Sequence, residues 1–470
     1  MKLKRRLLTK QGVNFVWIWM TSITMLFSCK ETNVDTFPKP NAPNAIVIMA
    51  DDLGYGDVGA YNPAVSFTPN IDQLATDGVK FTQGYVTASV CSPTRAGFLA
   101  GVYQQEVGME HLISKKYSTD ISEQGMPSEL TLLPEYLQQI GYATALVGKW
   151  HLGETDEFHP NNHGFDYFYG TRFGLTRYIH ADHPDQITSP QTSYVSRGPR
   201  RGNSLEENFT PVDNERYLTE EFTDKAINFI DQHKDNKFFL FLSYTAPHTP
   251  LQTMREYLEE FEDYPNTDDE KIYFSMIRSL DNEVGKLNQY LEDNGLDENT
   301  MVFFISDNGC SSNYRVCTNN SYLKEHKGSF NEGGVRVPFI LKWKNQIPSG
   351  VVFDGPVISL DIFSTILNLT GKMDKSVLRT YDGIDLVPYL TNSNLTYPDR
   401  TFYWKRGENM AIRHGDYKLV KNRFQESFYN LREDPTESNN IIGHNVEMLV
   451  KIKEMQESWL KELPPPRWAP

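Results

Sequence analysis

The sequence has no excess of basic residues. Its 46 Lys and Arg face 61 Asp and Glu, a formal net charge of −15, so it carries neither a nucleic-acid footprint nor a polybasic membrane patch. Five of its bases (Lys2, Lys4, Arg5, Arg6 and Lys10) stand within residues 1–28 with no acid beside them, and without them the charge is −20. It also lacks an internal repeat, which excludes repeat arrays. It lacks a clean run of about twenty apolar residues, the length that spans a bilayer. The run from Val13 to Phe27 is shorter and is broken by polar residues. What is present is ordinary: 39% hydrophobic, 13% aromatic and 23% charged over 470 residues. That composition excludes collagen, coiled-coil arrays and intrinsic disorder, and the length allows two or three domains.

Residues 1–28 read as an export signal, a basic start followed by a short apolar stretch. They run into Leu26-Phe27-Ser28-Cys29, which resembles the lipobox of bacterial lipoproteins, with an uncleaved anchor as the alternative. The resemblance implies lipidation of Cys29, and the polar, proline-containing residues 29–43 then form a tether. The expectation is an exported lipoprotein of the outer membrane, facing the periplasm or the cell surface and touching the membrane only through lipid. Cysteine is scarce as well, with Cys29, Cys91, Cys310 and Cys317 the whole set. Removing Cys29 leaves three, and an odd count in an exported chain marks one for chemistry. Cys310 and Cys317 stand close together in a polar loop, where a disulfide and two separate thiols are both open. Cys91 is left alone.

Several apolar runs have strand length: Ala45–Ala50, Ala143–Val147, Phe238–Leu242, Met301–Ile305 and Val337–Leu341. Runs of this kind suit a sheet covered on both faces. Helical periodicity lies between them, at Leu130–Ile140, Leu218–Ile230 and Leu360–Leu369. Thr267-Asp268-Asp269-Glu270 is a capping box, and Ile277, Leu280, Val284, Leu287 and Leu291 then recur every three or four residues. Alternating strands and helices predict a parallel, doubly wound α/β sheet.

Four of these strands run directly into chemistry-bearing residues. They are Asp51-Asp52, Gly148-Lys149-Trp150-His151, Ala246-Pro247-His248-Thr249 and Ser306-Asp307-Asn308-Gly309. Open α/β sheets bind ligands beyond the carboxyl ends of their strands, so these fragments are expected on one rim. Asp51, Asp52, Asp307 and Asn308 offer hard oxygens without a His/Cys cluster, which points to Ca²⁺ or Mg²⁺ rather than zinc.

Cys91-Ser92-Pro93-Thr94-Arg95-Ala96-Gly97 reads as a helix start, a position expected to lower a thiol's pKa and make Cys91 a nucleophile. The stretch resembles the Cys-x-Pro-x-Arg signature of type I sulfatases, in the alkaline phosphatase superfamily. The other motifs follow in family order: Asp51–Asp57, Thr68–Asp72, Gly148–Gly153, Pro247–Pro250, Ser306–Gly309 and Lys327–Gly334. The similarity spans residues 44–440. It implies that a maturation enzyme oxidises Cys91 to formylglycine (3-oxoalanine), whose hydrate is the nucleophile. It further implies a Ca²⁺ held by Asp51, Asp52, Asp307, Asn308 and residue 91, with Mg²⁺ the lesser candidate. Arg95 and Lys149 would bond the formylglycine hydrate, Lys149 and Lys327 the sulfate. His248 would protonate the leaving alcohol, and His151 would take a proton as the sulfated intermediate collapses.

The C-terminal segment shows short strands at Met410–Val420 and Ser427–Leu431 and an amphipathic helix at Glu447–Leu460. This resembles the small antiparallel α+β subdomain of sulfatases, expected over residues 375–470 behind a catalytic domain at 44–374. The implied fold is a large mixed, mostly parallel sheet flanked by helices. The implied activity is sulfuric ester hydrolysis on a sulfated carbohydrate, such as an algal polysaccharide, a glycosaminoglycan or their oligosaccharides. The segment Phe173–Phe209 is rich in Arg and His, which makes Arg177 and His180 candidate substrate contacts along with His111. Two alternatives compete: a phosphate or phosphonate ester hydrolase of the same superfamily, and a non-catalytic glycan-binding lipoprotein.

Overall fold

In strand β1 (Asn44–Ala50) every residue is buried, and a strand so apolar is stable only when neighbours and helices cover both its faces. The structure is a computed structural model that describes residues 42–114, 122–180, 182–193, 204–313, 316–317, 322–371 and 381–468. Cys29, the tether as far as residue 41 and the boundary expected near residue 375 lie outside those residues. The other strands of the main sheet are β2 (Val79–Phe81), β3 (Ala143–Lys149), β4 (Tyr167–Thr171), β5 (Leu205–Glu207), β6 (Thr210–Val212), β7 (Phe238–Ser243), β8 (Thr300–Ser306), β9 (Phe339–Lys342) and β10 (Val351–Phe353). Their order is β10-β2-β9-β8-β1-β7-β3-β4-β5-β6. From β8 to β4 every neighbouring pair is parallel, while β9 and β5 pair antiparallel on the two flanks.

Side-chain alternation along β1 separates two cores. Ile46 and Ile48 pack with the helices Pro69–Asp77, Leu218–His233 and Asp268–Asp293. Val47 and Met49 pack with Cys91–Ala100, Leu133–Gln138 and Leu360–Thr370 on the other face. The predicted capping box forms: the Thr267 backbone N–H donates to Glu270 Oε2 at 2.8 Å, and the Glu270 N–H donates to Thr267 Oγ1 at 3.3 Å.

Two expectations shift. The helix predicted over Leu130–Ile140 covers only Leu133–Gln138, opened by Pro134 and followed by Gly141 with φ of +88°. The run Val337–Leu341 forms β9 but runs antiparallel to β8. The described chain between them is spent on site loops with a single short helix, Glu332–Val335, too little for the crossover a parallel strand needs.

The C-terminal sheet is antiparallel, with strands β11 (Thr401–Arg406), β12 (Asn409–His414), β13 (Tyr417–Lys421) and β14 (Glu426–Asn430) in sequential order, followed by the helix Val446–Glu462. A buried ionic knot joins this sheet to the loop before β9. Lys418 Nζ on β13, fully buried, lies 2.7 Å from Glu332 Oε1 and 3.1 Å from Glu437 Oε1. Tyr85 Oη donates to Glu332 Oε2 at 2.6 Å, and the Glu332 N–H donates to Glu437 Oε2 at 2.7 Å. Cys310 and Cys317 are bridged, and Cys91 is a buried free thiol. No helix among the described residues is long and apolar enough to cross a membrane.

Candidate active site

Because β1, β3, β7 and β8 run parallel, their carboxyl ends open on one rim, and the loops there are stitched together. The Asp51 N–H donates to the Ala246 carbonyl at 3.1 Å, and the Asp307 N–H to the Ala50 carbonyl at 3.0 Å. Asp52 and His151 adopt positive φ, +67° and +58°, a conformation non-glycine residues hold only when their surroundings enforce it. Asp51, Asp52, Asp307 and Asn308 are all buried, as are Arg95 and Lys149.

The helix Cys91–Ala100 is buried along its whole length and places Arg95 one turn beyond Cys91. The Arg95 guanidinium donates to Asp307 Oδ2 through Nε at 3.0 Å and Nη2 at 2.8 Å. Its Nη1 donates to the Lys149 carbonyl at 3.0 Å and to Ser243 Oγ. Arg95 therefore braces the floor of the cluster, and none of these bonds goes to residue 91. Lys149 Nζ donates to Asp51 Oδ2 at 2.6 Å. Lys327 Nζ donates to Cys91 Sγ at 3.2 Å and also to Asp52 Oδ1, while the Cys91 thiol donates to Asp51 Oδ1 at 3.4 Å. His248 anchors Nδ1 on the Thr249 carbonyl at 2.8 Å, with Nε2 3.7 Å from Asp52 Oδ2.

One sequence expectation fails here. The helix start does not lower the Cys91 thiol's pKa. Burial, with Asp307 and Asp51 nearby, pushes it up to about 12, so the thiol is neutral at physiological pH and a poor nucleophile. Asp52 goes the other way: burial opposes its charge, but Lys327 and His248 overcome that and hold it near 2. Asp307 is raised by burial and by Asp51 despite Arg95. Burial, then the neighbouring cations, drives His248 down to about 3 and His151 well below its ordinary value, so both imidazoles are neutral.

Three cations thus face three carboxylates, a site with no surplus charge to attract an anion. A divalent cation fits that deficit. One ligand atom from each of Asp51, Asp52, Cys91 and His248 lies within 4.8 Å of the others. Asn308 donates through Nδ2 to Asp52 Oδ1 at 2.7 Å, while its buried Oδ1 has no hydrogen-bond partner among the described residues. An orphaned oxygen beside carboxylates suits a hard ion.

Two of the substrate candidates share a carboxylate that is not one of the cluster's. Arg177 Nη2 lies 2.8 Å from Asp213 and 2.7 Å from His180, which also meets Asp213 at 2.8 Å. His111 is buried 3.7 Å from Glu110, which is bound in turn by Lys405 and the Gly407 N–H. The arginines of the same Arg- and His-rich segment at positions 197, 200 and 201 lie outside the described residues. Sequence reasoning missed Tyr178, whose hydroxyl donates to the carbonyls of Thr245 at 2.6 Å and His248 at 2.8 Å and so pins the histidine loop. It also missed Ser243, although a polar residue ending an apolar strand at the rim was a usable signal.

Comparison with known proteins gives the same direction. The sulfatase family model matches residues 43–372, and a model for the C-terminal region of N-sulphoglucosamine sulphohydrolase matches residues 326–463. N-acetylgalactosamine-6-sulfatase of Canis lupus familiaris is 34% identical over 391 residues, 81% of this chain and 72% of that protein. The crystal structure of Ps i-CgsB in complex with k-i-k-neocarrahexaose has a TM-score of 0.81 at 33% identity, covering 91% of this chain and 95% of that one. PsFucS1 sulfatase from Pseudoalteromonas sp. has a TM-score of 0.72 at 26% identity, covering 90% and 91%. With the rim residues and the helix that carries Cys91 inside the matched span, this chain belongs to the sulfatase family.

Proposed function

We propose that this protein hydrolyses sulfate esters of a carbohydrate, using a formylglycine made from Cys91 and a Ca²⁺ held by Asp51, Asp52, Asp307 and Asn308. The observation that carries the reading is the setting of Cys91, a buried thiol pushed up to about 12 yet bonded by Lys327 and Asp51 at the centre of the cluster. A thiol kept neutral there cannot attack, whereas a hydrated aldehyde supplies one hydroxyl to take the sulfuryl group and a second to expel sulfate. When bound, the cation withdraws charge from sulfate oxygens. The chain's own residues do the rest. Lys149 and Lys327 donate to the sulfate and offset its charge. Arg95 holds Asp307 and the Lys149 carbonyl in place. His248 serves the leaving alcohol through Nε2, and the neutral, buried His151 accepts a proton. Carbohydrate esters are the proposed substrates because one relative is named for N-acetylgalactosamine and another was solved with neocarrahexaose. Maturation requires a formylglycine-generating enzyme, and Cys29 tethers the exported protein to the outer membrane.

The test combines mass spectrometry of the peptide containing residue 91 with sulfate release from a panel of sulfated sugars, run beside matched phosphate esters. An aldehyde or its hydrate at residue 91, with sulfate ester turnover exceeding phosphate turnover, is expected. An active preparation whose Cys91 is wholly unmodified thiol overturns the mechanism.

A further inference from the structure

Lys327 belongs to a second feature as well as to the cluster. The loop that carries it meets the C-terminal sheet around a cavity of about 410 Å³, whose lining includes Glu325, His326 and Lys327 on one side and Asn409, Lys421 and Asn422 on the other. Its floor is ordered by its own hydrogen bonds. Asn422 Oδ1 accepts from the N–H groups of Phe424 at 3.0 Å and Gln425 at 2.9 Å, and Asn409 Oδ1 accepts from the Arg423 N–H at 3.0 Å. Both amide oxygens are thereby committed to holding the turn, and among the described residues neither Nδ2 group has a hydrogen-bond partner. Lys421 is equally uncommitted. Glu426, its partner in register across the hairpin, is taken by Lys453 at 2.6 Å, and no described carboxylate lies within ion-pair distance of the Lys421 ammonium. Phe424 is 89% exposed on the same turn.

An unpaired ammonium and two free amide donors in one cavity offer hydrogen atoms and positive charge, and the one carboxylate in the lining, Glu325, lies 4.0 Å from His326 Nε2. The ligand they match is an anion with several oxygens. The chain's net charge of −15 makes an unpaired cation in a concave site more telling, since acids to neutralise it are plentiful elsewhere. Lys327 reaches Cys91 with its ammonium while lining the cavity, so cluster and cavity are neighbours across a single lysine. We infer that this cavity receives a second anionic group, sulfate or carboxylate, on the sugar next to the one whose sulfate meets residue 91. The inference rests on the sulfatase reading of the cluster. It makes the substrate a multiply charged chain rather than a single sulfated sugar, with specificity residing in the C-terminal sheet.

The experiment measures equilibrium binding to the Cys91→Ala protein, which cannot turn over. The probes are a monosulfated disaccharide, its disulfated counterpart, and a sulfated disaccharide with a uronate carboxylate on the neighbouring residue. Tighter binding of one or both doubly charged probes is expected, and the comparison identifies which anion the cavity takes. Adding Lys421→Gln is expected to remove about tenfold of that preference relative to the monosulfated probe, the effect of one charge-assisted hydrogen bond, and Lys421→Arg to restore most of it. Equal affinity for all three probes, or a preference unmoved by Lys421→Gln, overturns the inference. Hydrolysis of a small aryl sulfate by the unsubstituted enzyme is read separately. Its failure, with the Lys421-dependent preference intact, refutes the catalytic reading and supports the cavity assignment.

Discussion

Lys418→Met removes one ammonium from a place where two carboxylates depend on it. Lys418, Glu332 and Glu437 are all fully buried, with Nζ 2.7 Å from Glu332 and 3.1 Å from Glu437. Methionine fills nearly the same volume, so packing changes little and the loss is electrostatic. Glu332 keeps Tyr85 and a longer pairing with Arg336 at 3.4 Å. Glu437 keeps the Glu332 N–H. Breaking one side of a buried ion pair costs about 3–5 kcal/mol, a large share of a typical folding free energy of about 5–15 kcal/mol. The pH dependence has a definite sign. Burial opposes the Glu332 charge, yet Lys418, Arg336 and Arg413 hold its carboxyl near 2, so it contributes stability above its unfolded value and loses it only as pH falls toward 2. Glu437 is raised by burial even with Lys418 present. Without the lysine both carboxyls rise and the folded variant binds protons more readily, so its deficit is expected to shrink between pH 8 and pH 5. Urea midpoints at several pH values, converted with a common m-value, read this directly. A deficit under about 1 kcal/mol, or one constant with pH, refutes the view that this knot is an ionic clamp.

Chelation or Asp307→Ala is expected to abolish sulfate release, with Ca²⁺ restoring the chelated enzyme; full activity with no metal by elemental analysis counts against the cation. Tyr178→Phe leaves the buried Thr245 and His248 carbonyls without the donor they share, at a cost of about 1–3 kcal/mol, and should lower kcat more than it raises KM. An unchanged kcat would show that the histidine loop does not need that anchor. Cys91→Ser, in a host that converts only cysteine, should fold with an unchanged thermal midpoint and release the alcohol at most once per molecule, keeping the sulfate esterified on residue 91 because one hydroxyl cannot expel it; sustained sulfate release removes the case for the second hydroxyl. Cys29→Ala should leave the membrane fraction or stay unprocessed, and identical fractionation excludes the lipid anchor.

The rim was legible because its signal is local. β1 and β8 are apolar runs followed at once by aspartate, β3 ends on Lys149 and β7 leads within five residues to His248, and the carboxyl-end rule needs no tertiary information. Burial was not legible. Cys91 sits at a helix start, as read, but its neighbours come from three other loops, and desolvation outweighs whatever the helix contributes. β11 escaped because aromatic residues stand on both its faces, with Phe402 and Trp404 buried while Tyr403 stacks on Trp459 at 4.7 Å, which hides the period of two. The pairing of Arg177 and His180 with Asp213 was not legible either, because more than thirty residues separate them from it and nothing local announces it.

The acidity of the chain and the charge of its substrate class are reconciled by how locally each is enforced. Lys149, Arg95 and Lys327 are each tied to a carboxylate of the cluster, so none offers a spare charge to an incoming sulfate until those carboxylates are occupied by something more positive. A bound divalent cation would take over the oxygens that now hold the lysines and release the ammonium groups toward substrate. The same carboxylates that make the protein acidic would thereby set when its cations become available. The opposite result is easy to recognise: metal-free protein binding sulfated ligand as tightly as the loaded form would mean that the lysines are already free, and that the pairing with Asp51 and Asp52 has no part in gating substrate.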